Sequence, residues 1–90
     1  MDFLTFQGAP ILYTEGLKEK LEARIIGTIV VDYFPIKDCI RVTITNRGFI
    51  FKYTVYETSD KINHGVPSDT IANEICKDYT RQISRTFFKK

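Results

Sequence analysis

The chain has 90 residues, 43% hydrophobic and 27% charged, with a formal net charge of +2. That length makes one small domain, residues 1 to 90, burying about 60 to 65% of its unfolded surface, and excludes two independent cores. Seven Phe and five Tyr provide large side chains for burial, so the composition is that of a folding chain.

The opening, MDFLTFQGAPILYT, places Asp2 where a secretory signal has basic residues, and its apolar run is broken at Gln7, Gly8 and Pro10. No stretch reaches the roughly 20 apolar residues of a membrane span. The expectation is a soluble protein of the host cytoplasm that makes no use of a membrane. TEGLKEKLE, residues 14 to 22, reads as a short helix. Thr14 stands at an N-cap position, Leu17 and Leu21 share one face, and Gly16 weakens it.

ARIIGTIVVDYF, residues 23 to 34, is rich in β-branched and aromatic residues and stops at Pro35. Its odd positions Ile25, Ile29, Val31 and Tyr33 suit a core, while the even ones mix Ile26, Val30 and Phe34 with Thr28 and Asp32. CIRVTITN alternates Ile40, Val42 and Ile44 against Arg41, Thr43 and Thr45. FIFKYTVYE opposes Phe49, Phe51, Tyr53 and Val55 to Ile50, Lys52, Thr54 and Tyr56.

A one-residue slip exchanges the two faces of a strand, so matching apolar faces fixes the register. Ile44 beside Phe51 and Val42 beside Tyr53 require paired numbers that sum to 95, and hence a loop of even length. Arg47-Gly48 meets this as a two-residue turn, with a four-residue loop from Asn46 to Phe49 as the alternative.

TSDKINHGVP, residues 58 to 67, reads as a polar connection. Ser68 then suits a helix cap, with Asp69 in the first turn, where a negative charge favours the helix dipole. At 100° per residue, Ile71, Ala72, Ile75, Cys76, Tyr79, Ile83 and Phe87 fall on one arc. The expected fold is α+β in the order α-β-β-β-α. A three-stranded antiparallel meander carries a long helix, about 68 to 87, on one face, with a short N-terminal helix.

Chemistry for catalysis is sparse. A nucleophile needs a base and a group to orient it, and the one histidine, His64, lies in the turn-rich NHG. Cys76 falls on the apolar arc and Cys39 opens a strand on its outer face, where it is expected to be exposed. Two cysteines are too few for a disulfide framework or a tetrahedral zinc site. Phosphate-loop and dinucleotide signatures are absent. The expectation is no enzyme, no catalytic residue, no cofactor and no metal.

Charge is concentrated at the end of the chain. Residues 77 to 90 hold +4 of the formal charge and residues 1 to 76 hold −2. Lys77, Arg81, Arg85 and Lys89 recur every four residues along a helix, with Glu74 and Asp78 neutralising the first half of the stripe. The element order invites comparison with double-stranded RNA-binding domains. Those open their last helix with a Lys-Lys run that NHGVPSDTIA lacks, so no residue carries over.

The outer sheet face combines Ile26, Val30 and Phe34 with Arg41, Thr43 and Thr45, and with Ile50, Lys52, Thr54 and Tyr56. This face is too apolar for plain solvation. The segment with Phe3, Leu4, Phe6, Ile11, Leu12 and Tyr13 is expected to cover it, with a partner as the alternative. Arg41, Lys52, Tyr56, Arg81, Arg85, Phe88, Lys89 and Lys90 are the expected partner-binding residues.

DKINHGVPSDTIANEICKDYTRQI, preceded by a three-strand meander, resembles small proteins of Gram-positive phages and mobile elements. The shared features are a turn ending in Gly, a capped helix start, an apolar helical run and a Tyr. The resemblance implies a short accessory protein, a class that includes inhibitors of host defence such as anti-CRISPR proteins. Many of those mimic DNA with dense negative charge, a pattern from which this chain departs, so the implied target is a host protein surface. The expected function is a non-enzymatic binding protein that inhibits or modulates a host protein. Two alternatives are a nucleic-acid-binding module using the basic C-terminal helix as a homodimer, and a structural part of a virion.

Overall fold

A computed structural model describes residues 3 to 88, with side chains from 10 to 86. The elements are α1 (Phe3–Glu22), β1 (Thr28–Phe34), β2 (Cys39–Asn46), β3 (Phe49–Val55), α2 (Thr58–Asn63) and α3 (Ser68–Phe88). The three strands form one antiparallel sheet in the order β1-β2-β3, so the fold is α+β with the element order read from the sequence.

The register of β2 on β3 pairs Ile44 with Phe51 and Val42 with Tyr53, the pairing that face matching requires. Arg47 (φ 53°) and Gly48 (φ 83°) form a two-residue loop with positive φ at both positions, as in a type I′ turn. The four-residue loop is therefore excluded.

Alternation places Ile29, Ile40, Val42, Ile44, Phe51 and Val55 on the inner face, where they meet Leu17 and Leu21 of α1 and Ile71, Ala72, Ile75 and Tyr79 of α3. Tyr79 sits edge-on to Phe51, ring centroids 5.5 Å apart, and its hydroxyl accepts a hydrogen bond from Asn46 Nδ2 at 3.1 Å. The pair fixes α3 over the β2–β3 hairpin.

Several expectations need correction. α1 begins at Phe3 rather than Thr14 and continues through Pro10. Proline lacks the N–H that would bond the preceding turn, but the Pro10 carbonyl accepts the Thr14 hydroxyl at 2.7 Å, and both residues are buried. β1 begins at Thr28, because Gly27 (φ 149°) ends the connection from α1 against Asn46 and the Thr45 carbonyl. The polar connection contains α2, whose first residue, Thr58, is wholly buried. Ser68 is itself the first residue of α3 rather than a residue preceding it.

The N-terminal segment does not cover the outer sheet face. α1 joins α3 on the inner face, where Gly16 lies against Ser68, Lys20 pairs with Asp69 at 3.6 Å and Arg24 bonds Asn73. These contacts advance together along both helices, so α1 and α3 run parallel. The principal extents are 56 × 23 × 21 Å.

Candidate functional site: the outer face of the sheet

With both helices on one side, the opposite face of the sheet is open among the described residues. The register sets its rows: Thr28 beside Thr45 beside Ile50, then Val30, Thr43 and Lys52, then Asp32, Arg41 and Thr54. At about 4.8 Å between strands and 3.4 Å per residue, this backbone plane measures roughly 10 by 20 Å. Its apolar members remain accessible: Ile50 is 58% exposed and Tyr56, which follows β3, is 67% exposed. Val30 and Phe34 are also exposed, as is Ile26, which precedes β1.

Arg41 has two neighbours on this face. It stands directly across from Asp32 on β1, and its guanidinium lies 5.2 Å from the centre of the Phe34 ring. A cation over an aromatic face is stabilised by the ring quadrupole. The arrangement holds a flat, five-donor group above the sheet plane, ready to meet a carboxylate or a carbonyl.

At one end of the sheet, Asp38 ties the β1–β2 turn to α2. This residue lies in the β1–β2 turn with φ 52°. Its carboxylate accepts hydrogen bonds from the Tyr33 hydroxyl (2.9 Å), the Ser59 hydroxyl (2.8 Å) and the Ser59 backbone N–H (3.1 Å). Its carbonyl accepts the Thr58 N–H at 3.0 Å. Glu57, which precedes α2, makes no side-chain cap, so Asp38 supplies that function from another part of the chain. Burial alone pushes the Asp38 carboxyl up, but the hydrogen bonds from Ser59 and Tyr33 outweigh it and hold the group below its ordinary value.

This junction buries Cys39, expected on the outer face by strand parity, to 4% exposure. The chain entering α2 returns to Asp38 and closes over the start of β2. The same turn leaves Ile36 at 99% exposure. An aliphatic residue inside a turn next to Pro35 was the sequence signal for it.

The expected contact residues divide into two groups. Arg41, Lys52 and Tyr56 share the outer face and are exposed. Arg81 and Arg85 are exposed on α3, in the helical layer, and Arg81 pairs with Asp78. The structure does not bring the two groups together. Phe88 ends α3, but its side chain, like Lys89 and Lys90, lies outside the described residues. Phe34, Val30 and Ile50 complete the apolar part of the face and belong with the first group.

Among the described residues, no group of three or more His, Cys, Asp or Glu side chains could hold a metal ion. No helix there is long and apolar enough to cross a membrane. No family model, curated protein or solved structure matches the chain.

Proposed function

We propose that this chain is a non-enzymatic protein-binding module whose contact surface is the outer face of the sheet. The observation that carries this reading is the exposure of Val30, Phe34, Ile50 and Tyr56 around Arg41 and Lys52 on a rigid, register-locked sheet. Exposed aromatic and aliphatic side chains with an Arg at the centre match the composition of interface cores. The resemblance to phage and mobile-element accessory proteins extends the reading to a host protein whose activity the contact inhibits or modulates.

The test uses the full chain and the double variant Ile50→Lys/Tyr56→Ser as baits in a nuclease-treated lysate of the cell that expresses it. The parent retains one stoichiometric protein and the variant loses it at unchanged melting temperature. Loss of every partner after nuclease treatment, or equal capture by the variant, overturns the reading.

A further inference from the structure

α3 carries a second feature, remote from the outer face. Along the helix, Asp69 and Asn73 mark the flank that meets Lys20 of α1 and Arg24 just beyond it. α1 ends at Glu22, so the continuation of that flank has no helix beside it. There the surface forms an open groove of about 590 Å³ lined by Asn73, Cys76, Lys77, Thr80, Arg81 and Ser84. A second hollow, about 370 Å³, shares Arg81 and adds Gln82, Arg85 and Thr86.

The lining is chemically one-sided. Among the described residues it contains three cations, four hydroxyl groups or side-chain amides beyond Asn73, and no carboxylate, with Asp78 beside it bonding both Arg81 and Gln82. Arg24 stands at one end through its hydrogen bond to Asn73. Asp78 is not part of the lining; it binds Arg81 and so orients the guanidinium, which has donors to spare. Residues 73 to 86 span about 20 Å of helix, and Lys77, Arg81 and Arg85 recur at about 6 Å along it. Among the described lining residues Cys76 is the sole apolar one. An enclosed small-molecule site is a poor fit, because such sites surround most of their ligand.

We propose that this groove binds the phosphate backbone of duplex nucleic acid, without reading its sequence. A linear run of cations and hydroxyl groups suits phosphate oxygens. Non-specific single-strand sites add aromatic side chains on which bases stack, and among the described residues none lines this groove. The site shares no residue with the outer face, so the chain presents a protein-binding surface and a phosphate-binding surface on opposite layers.

The test is fluorescence anisotropy with a labelled mixed-sequence duplex, titrated with the full chain at several salt concentrations. Four cations, Arg24, Lys77, Arg81 and Arg85, predict a log-log salt slope near −3.6 and a loss of affinity of roughly a hundredfold between 50 and 200 mM salt. The triple variant Lys77→Gln/Arg81→Gln/Arg85→Gln lowers the slope by about 3, and Thr80→Glu, which places a carboxylate in the groove, weakens binding severalfold. Arg41→Gln/Lys52→Gln leaves duplex binding unchanged, which separates this site from the outer face. Absence of duplex binding at 50 mM salt, equal binding by the triple variant, or binding of single strands alone overturns the proposal.

Discussion

Asp38 shows how one side chain joins two elements that are distant in sequence. The β1–β2 turn and α2 are held by its three hydrogen-bonded groups and its carbonyl. Replacing it with Asn keeps the shape but removes the charge that Ser59 and Tyr33 satisfy. Urea melts of Asp38→Asn are expected to show a loss of about 1 to 2 kcal/mol. The pH dependence follows from the lowered carboxyl pKa. A carboxyl more acidic in the folded than in the unfolded chain adds stability above its unfolded pKa. That stability disappears as pH falls through the folded value. The parent therefore loses stability on acidification from pH 5 toward pH 2 (approximate limits) more steeply than Asp38→Asn, as melts across this range would show.

Gly27 is the other residue on which the local geometry depends. Its φ of 149° is rare for a side chain with Cβ, and a Cβ there would lie 2.8 Å from the Thr45 carbonyl oxygen. Gly27→Ala is expected to cost about 1 to 3 kcal/mol, because backbone strain and a backbone clash act together. A melting temperature equal to the parent's would show that the connection can shift at no cost.

Among the elements, the β2–β3 hairpin was the most legible. Strict alternation in CIRVTITN and FIFKYTV fixed both faces, and parity alone gave the pairing that sums to 95. The turn is imperfect in one respect: Arg47 occupies a left-handed conformation with φ 53°, which Asn tolerates better. Arg47→Asn should raise stability by about 0.5 to 1 kcal/mol, measured by thermal or chemical unfolding. No change or a loss would mean that Arg47 makes a compensating contact.

The helical elements were read less completely, for physical reasons. Pro10 and Gly16 both argue against a helix locally, yet α1 spans them, its inner side held by Leu17 and Leu21 in the core. α2 is only six residues long and lacks a cap of its own. It depends on Asp38, twenty positions earlier than Thr58, and no local pattern could announce it.

At the scale of the whole molecule, one sheet face is covered by two parallel helices and the other is open among the described residues. A protein with this arrangement can change its outer face without changing its core. Ile50→Lys/Tyr56→Ser should therefore leave the unfolding free energy within about 0.5 kcal/mol of the parent, while sedimentation and partner capture report the loss of contacts. A larger loss of stability would mean that the face contributes to the fold itself.

The sequence by itself determined the order of the strands and the two main helices, though not α2, together with the two strand faces, the hairpin register and the apolar arc of α3, because each rests on a local period or on parity. It also supplied Arg41, Lys52 and Tyr56 as members of one face. Only the tertiary structure decided which face α1 covers, since its apolar residues could have packed on either side of a half-apolar sheet. That choice opened the outer face and left the flank of α3 beyond the end of α1 uncovered, while the return of α2 to Asp38 buried Cys39 and the seat of α3 on the inner face separated Arg81 and Arg85 from Arg41. Each of these depends on contacts between segments far apart in the chain, whose energies no single-sequence period encodes.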